Sequence, residues 1–146
     1  MSNLSTPKHS VSVAAAIVDA EGRVLAIRRR DNSHWEPPGG VLALDETIPE
    51  GLAREVREET GVHIELEGLT GVYKNLVRGI VALVFRCRAL NDPVSSTGEA
   101  REIRWLQPDE ISKYMDEAYA VRLLDALQPG QVRVRAHDGI TVVNGR

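Results

Sequence analysis

Apolar residues along the chain occur mostly in short runs that favour strands, and helical spacing is confined to two stretches. Strands are predicted at 11–18 and 23–28, paired around a turn at Glu21 and Gly22. The other predicted strands are 63–66, 71–76, 80–88 and 102–106. Alternation around His137-Asp-Gly139 predicts a terminal hairpin over 132–143. The segment 35–40 contains two prolines and two glycines, which favours a strand end followed by a loop.

The clearest predicted helix lies between Thr47 and Gly61. Thr47 and Glu50 have the Thr-x-x-Glu spacing of a capping box, and Pro49 is tolerated in a first helical turn. Gly61 is a favourable residue for ending the helix.

A short helix is predicted from Pro108, and a second amphipathic helix over 116–127. Strands mixed with helices in this order indicate an α/β fold, with a mixed β-sheet covered by helices on both faces. The length of 146 residues fits one domain. We predict a single domain over 11–146 after a flexible, polar segment at 1–10.

Composition limits the classes of function. The chain is 42% hydrophobic and 27% charged with a net charge of −3, so no overall positive field attracts nucleic acid or an anionic membrane. No apolar run approaches the roughly 18 residues that span a bilayer. Cys87 is the only cysteine, which excludes an intramolecular disulfide and fits the cytoplasm. We therefore expect a cytoplasmic protein without nucleic-acid or membrane partners, and leave a homodimer open.

Three glutamates share one surface near the end of the first helix. Glu55, Glu58 and Glu59 are spaced i, i+3 and i+4, so their side chains are neighbours. They occupy the last two turns, where each anion costs about 0.3–1 kcal/mol against the helix dipole. A solvated, salt-bridged helix face is the ordinary interpretation of such a group.

The apolar stripe of the same helix favours a different interpretation. Ile48, Leu52 and Val56 define the stripe, and Glu59 falls inside it with Glu55 just beside it. A carboxylate that points toward the core without a partner is costly, so the arrangement calls for a cation. Oxygen ligands with no histidine or cysteine nearby indicate Mg²⁺ or Mn²⁺ rather than zinc.

The segment from Gly40 to Val62 resembles a known family motif. Its spacing is Gly, five residues, Glu46, seven residues, Arg-Glu-Val, one residue, Glu-Glu, one residue, Gly-Val. These nine specified positions match the Nudix box at every defined position. The resemblance implies the Nudix-type α/β/α sandwich as the fold, in agreement with the predicted order of elements.

The resemblance also implies a metal site and its supporting residues. The implied Mg²⁺ or Mn²⁺ ligands are carboxylates of the helix and a backbone carbonyl of the glycine pair, namely Glu55, Glu58, Glu59 and Gly39 or Gly40. Arg54 would orient a box glutamate through Glu46 or Glu55. An additional acidic ligand from a later loop is either Glu99 or Glu102, of which Glu99 is favoured because it borders a flexible loop.

The implied reaction is metal-dependent hydrolysis of a diphosphate linkage in a nucleoside diphosphate derivative, such as a nucleoside triphosphate or a nucleotide sugar. The general base is Glu58, Glu59 or Glu99. Trp35 and Tyr73 are weak candidates for contacts with the substrate base, and core packing is at least as plausible for both. Two alternatives are a non-catalytic nucleotide-sensing module, which tolerates a damaged box, and an isomerase, which needs a placed catalytic cysteine.

Overall fold

The computed structural model describes residues 5–143, so the first part of the predicted flexible segment 1–10 lies outside the described residues. The strands are β1 (Ser10–Ile17), β2 (Val24–Arg29), β3 (Trp35–Glu36), β4 (Gly39–Val41), β5 (Ile64–Asn75), β6 (Ile80–Ala89), β7 (Ala100–Leu106) and β8 (Arg133–His137). The helices are α1 (Ile48–Thr60), α2 (Ile111–Tyr114), which follows the 3-10 turn Pro108–Glu110, and α3 (Glu117–Leu127).

The strands form two sheets. Five strands in the order β4-β1-β6-β5-β8 make a mixed sheet, in which β1 pairs with β6, and β5 with β8, in parallel. Strands β3, β2 and β7 make a smaller antiparallel sheet. Helices α1 and α3 pack on opposite faces, which confirms the predicted mixed sheet between helices.

Strand β1 contributes side chains to two separate cores because successive residues of a strand point to opposite faces. Val13, Ala15 and Ile17 pack in the cluster that contains the apolar stripe of α1. Ala14 and Ala16 pack in the cluster that contains α3. Both faces of the strand are covered, so all five residues are buried.

The ends of α1 agree with the prediction. The Thr47 hydroxyl accepts a hydrogen bond from the backbone N–H of Glu50, and the Glu50 carboxylate accepts one from the N–H of Thr47. Gly61 ends the helix at φ 73°, a left-handed conformation that glycine adopts without steric cost.

Two predicted strand pairs and one predicted strand boundary are wrong. The predicted pair at 11–18 and 23–28 is reduced to one bridge between Val18 and Val24, because β1 and β2 enter different sheets. The segments 63–66 and 71–76 are one strand, β5, interrupted by two register shifts. Of the terminal hairpin only the bridge between His137 and Val142 forms, and β8 pairs with β5 instead. Hydrophobic alternation predicts which face a residue occupies but does not identify the partner strand.

Between residues 5 and 143, every helix is too short or too polar to cross a bilayer.

Candidate metal and active site

Three carboxylates from two parts of the chain meet beside the glycine pair of β4. Glu55 and Glu59 come from α1, and Glu99 comes from the loop that precedes β7. One carboxylate oxygen of each lies within 4.8 Å of the others. The grouping gives three hard oxygen donors around one point, which suits a divalent cation such as Mg²⁺.

Glu59 is the buried member of this group. It is 5% exposed, in agreement with its predicted position inside the apolar stripe. Its carboxylate accepts a hydrogen bond of 2.7 Å from the backbone N–H of Gly39. Burial raises the pKa of Glu59 to about 8, and the nearby carboxylates of Glu36, Glu55 and Glu99 act in the same direction. The charged form of Glu59 therefore needs a cation.

Glu55 lies against the backbone of the glycine pair. Burial raises its pKa, whereas the ion pair with Arg54 at 3.1 Å lowers it. A Cβ atom on Gly40 would overlap the Glu55 carboxylate. A side chain at position 40 would therefore displace the Glu55 carboxylate.

The backbone of β4 distinguishes the two glycines. The N–H of Ala15 donates a hydrogen bond to the carbonyl of Pro38, so these two residues form a hydrogen-bonded pair. In an antiparallel ladder, hydrogen-bonded pairs alternate with pairs that are not hydrogen-bonded, which makes Val13 and Gly40 the next hydrogen-bonded pair. Gly40 therefore faces β1, while the backbone groups of Gly39 point away from β1. The bond from Gly39 N–H to Glu59 agrees with this orientation. Of the two predicted carbonyl ligands, that of Gly39 is the one on the edge of β4 that also carries the N–H bonded to Glu59.

Arg54 links the acidic residues of the box. Its guanidinium donates to Glu46 at 2.6 and 2.9 Å, and to Glu55 and Glu58 at 3.1 Å. The bonds that Glu46 accepts from Arg54 and from the N–H of Ala43 lower the pKa of Glu46 to about 2. The two alternative contacts predicted for Arg54, Glu46 and Glu55, are both present. Glu58 is 43% exposed and lies outside the group of three.

The two candidates for an additional acidic ligand occupy different places. Glu99 belongs to the group of three carboxylates. Glu102 lies on β7, where it forms ion pairs with Arg28 at 3.1 Å and Arg104 at 2.9 Å. Only Glu99 is therefore positioned to contribute to the predicted site.

The two weak substrate-binding candidates also differ. Tyr73 is fully buried and donates a hydrogen bond of 2.8 Å to Asp125, so the suggestion that it stacks on a substrate base is wrong. Trp35 is half-buried, with Tyr114 against its ring at 5.3 Å and the Arg104 guanidinium also at 5.3 Å. Trp35 stays a candidate.

Two cavities adjoin at β4. The first, about 510 Å³, lies over the carboxylates and is also lined by Arg29 and Arg30. The second, about 280 Å³, is lined by residues of β1, β5 and α3, including the buried Arg122. Sequence reasoning missed all three arginines. Arg29 and Arg30 follow a predicted strand directly and could have been found there, whereas Arg122 looks like an ordinary polar residue of α3.

Cys87 is fully buried in β6, and burial raises the pKa of its thiol to about 12. The nucleophilic thiolate is therefore not formed near neutral pH. This removes the cysteine that an isomerase mechanism needs.

Comparison with known proteins agrees with the motif. A family model described as the NUDIX domain matches residues 8–127. A MutT-like protein from Streptomyces ambofaciens is 58% identical over 92% of this chain and 88% of its own length. An ADP-ribose pyrophosphatase from Methanocaldococcus jannaschii is 25% identical over 72% of this chain and 66% of its own length. A NUDIX hydrolase from Nitrosomonas europaea has the same fold, with a TM-score of 0.77 over 91% of this chain and 82% of that one, at 23% identity.

Proposed function

The chain belongs to the Nudix hydrolase family, and from this premise we propose that it hydrolyses a diphosphate linkage in a nucleoside diphosphate derivative, with Mg²⁺ or Mn²⁺ as cofactor. One observation carries the proposal. The carboxylates of Glu55, Glu59 and Glu99 converge within 4.8 Å, and within residues 5–143 Glu59 has no ion pair.

The donor set fits a divalent ion. Glu55 and Glu59 are carboxylates whose charged forms are disfavoured by burial, and the carbonyl of Gly39 lies on the same edge of β4 as its N–H, which bonds Glu59. Oxygen donors of this kind match Mg²⁺ and Mn²⁺ and are poor ligands for softer metals. When bound, the ion supplies charge neutralisation for phosphate oxygens and lowers the pKa of water.

The remaining groups of the site have separate tasks. Arg54 holds Glu55 in place through an ion pair, and Glu46 fixes Arg54 in turn. Glu58 and Glu99 are exposed and can accept a proton from an attacking water, so both are candidates for the general base.

Arg29 and Arg30 line the same cavity and provide cationic donors for phosphate oxygens. Arg30 is held by a bond of 2.8 Å from its Nε to the carbonyl of Thr97. Arg29 is held by an ion pair of 3.1 Å with Glu36 and by two hydrogen bonds to the carboxylate of Asp31. The substrate is accordingly placed with its diphosphate between these arginines and the carboxylates.

Two substrate classes fit the proposal, nucleoside triphosphates and nucleotide sugars. The relative from Methanocaldococcus jannaschii is an ADP-ribose pyrophosphatase, which supports a nucleoside diphosphate linked to a sugar. The much more similar protein from Streptomyces ambofaciens is described only as MutT-like. We retain both classes for the test.

The test is a panel of nucleoside triphosphates and nucleotide sugars assayed with Mg²⁺, with Mn²⁺ and with EDTA. We expect turnover of at least one compound with either metal and none in EDTA. Glu55→Gln should abolish the turnover, while Glu65→Gln, a change of an exposed carboxylate on β5, should preserve it. A folded protein that binds these nucleotides but cleaves none of them would instead be a nucleotide sensor.

A further inference from the structure

The second cavity adjoins the one over the carboxylates, and Glu55, Glu59 and Glu99 do not line it. Its volume is about 280 Å³, and Arg29, Gly39, Gly40 and Val41 line both cavities. The side chains that face it include Asn75, Tyr119 and Arg122. None of these three residues belongs to the Nudix box or has a place in the proposed hydrolysis.

Arg122 is a buried cation with few partners in the protein. It is 8% exposed, and its guanidinium lies 4.8 Å from the ring centre of Tyr119 and 5.5 Å from that of Tyr73. Its Nε is buried without a hydrogen-bond partner. Within residues 5–143, no carboxylate lies within 4.0 Å of the Arg122 guanidinium.

Within residues 5–143, the one side chain at hydrogen-bond distance from the Arg122 guanidinium is His137, and it cannot serve fully as an acceptor. Arg122 Nη2 lies 3.3 Å from His137 Nε2, while His137 Nδ1 is placed to accept a hydrogen bond from Gly139 N–H at 3.0 Å. A neutral imidazole has only one acceptor nitrogen, so both contacts cannot be hydrogen bonds at once. Burial lowers the pKa of His137, which keeps the ring neutral. At most one of the five N–H donors of Arg122 is therefore satisfied by His137.

Burial lowers the pKa of Arg122, and the carboxylate in the same cavity, Glu36, opposes this through its charge but forms no ion pair with it. Glu36 forms an ion pair with Arg29 at 3.1 Å and lies beyond ion-pair distance from Arg122. Arg78 also lines the cavity and is exposed. A buried cation without a paired anion or a full set of acceptors is costly, and proteins retain such groups where a ligand completes them.

We propose that this cavity is an oxyanion subsite, in which Arg122 binds a phosphate or carboxylate group of the substrate other than the diphosphate that is cleaved. The assignment of that group to the substrate rests on the proposed function. A neutral acceptor, such as the edge of a base, would satisfy N–H donors and leave the charge uncompensated. An anion does both, and the planar guanidinium matches a carboxylate or phosphate in a bidentate geometry.

The test measures anion binding without metal, so that it does not depend on catalysis. The protein is titrated in EDTA with inorganic phosphate, and in a parallel experiment with malonate, and amide shifts are followed by NMR. The shifts should concentrate at Ser12 and Asn75 around the second cavity, and not at Gly98 and Glu99, where unneutralised carboxylates repel anions. Preference for phosphate or for malonate identifies which oxyanion the site takes.

Variants distinguish anion binding by Arg122 from weak binding to exposed arginines elsewhere on the surface. Arg122→Met should weaken phosphate binding at least tenfold, and Arg122→Lys should weaken it less, because the charge remains. Arg88→Met, a change of an exposed arginine paired with Glu65 on the sheet, should leave binding unchanged. In EDTA, phosphate should raise the melting temperature of the wild-type protein above the value measured in chloride of equal ionic strength. The same comparison should show no difference for Arg122→Met.

Three results would overturn the subsite. These are the absence of phosphate and malonate binding in EDTA, equal binding by Arg122→Met and wild type, and shifts at Asn75 caused by an uncharged nucleoside but not by either anion. The outcome is independent of hydrolysis. Anion binding at this cavity in a protein that cleaves no nucleotide counts against the proposed function alone, and cleavage without anion binding counts against the subsite alone.

Discussion

Replacing Glu59 by Gln separates the catalytic value of this carboxylate from its effect on stability. Gln has nearly the same size, and its side-chain oxygen can still accept the hydrogen bond from Gly39 N–H. What it removes is a charge that burial disfavours in the folded state. We expect the variant to lose most activity and, without metal, to be more stable than wild type.

The size of the effect follows from the pKa of Glu59. Burial raises this pKa from 4.5 to about 8, so the folded protein holds a proton that the unfolded chain releases. The contribution of Glu59 to stability therefore falls as the pH rises through the window from about 4.5 to 8. At about 1.4 kcal/mol per pH unit, the penalty is under about 1 kcal/mol at pH 5, is at most about 3 kcal/mol at pH 7, and continues to rise up to about pH 8. Local rearrangement and water entry reduce it toward about 1–2 kcal/mol.

The assay is denaturant unfolding of wild type and Glu59→Gln in EDTA at pH 5, 7 and 8, repeated in millimolar Mg²⁺. The variant should gain stability relative to wild type as the pH rises, and Mg²⁺ should stabilise wild type more. Glu65→Gln, which changes an exposed carboxylate, controls for charge alone. A variant that unfolds well below wild type in EDTA would show that Glu59 stabilises the fold. A stability difference that does not change with pH would show that the pKa of Glu59 is not raised. Either result would refute the reasoning.

Two further predictions concern the geometry around Glu55 and the identity of the third carboxylate. Gly40→Ala should displace the Glu55 carboxylate and reduce activity about 10–100-fold with the fold retained by circular dichroism, while Gly68→Ala, where an added Cβ meets nothing within 4 Å, should be neutral. Glu99→Gln should raise the Mg²⁺ concentration for half-maximal activity by about tenfold, while Glu102→Gln should change it little. Equal responses of the last two variants would exclude Glu99 as a ligand.

Local signals in the sequence predicted the helix that carries the site. The ends of α1 depend on Thr47, Glu50 and Gly61, whose roles are decided within a few residues of chain. The burial of Glu59 followed from the period of the helix, since it falls on the same face as Leu52 and Val56. These features need no knowledge of the rest of the fold.

Features that depend on distant segments were predicted less well. The separation of β1 and β2 into two sheets is decided by which strands pair with each of them, and alternation carries no information on partners. The position of Glu99 beside α1 was favoured only from the composition of its loop. Apart from Tyr119, which is three positions away on α3, the surroundings of Arg122 include His137 and Tyr73, about 15 and 50 positions away, and the local pattern does not mark it.

The two rows of side chains on β1 have a consequence for how the enzyme can diversify. Val13 and Ile17 support the helix that carries the carboxylates, whereas Ala14 and Ala16 face the side where α3 packs and the second cavity opens. Mutations in α3 that change the lining of the second cavity therefore need not disturb the packing beneath the helix that carries the carboxylates. A library of variants restricted to the α3 side could change substrate selectivity while the carboxylates of α1 and their support remain unchanged.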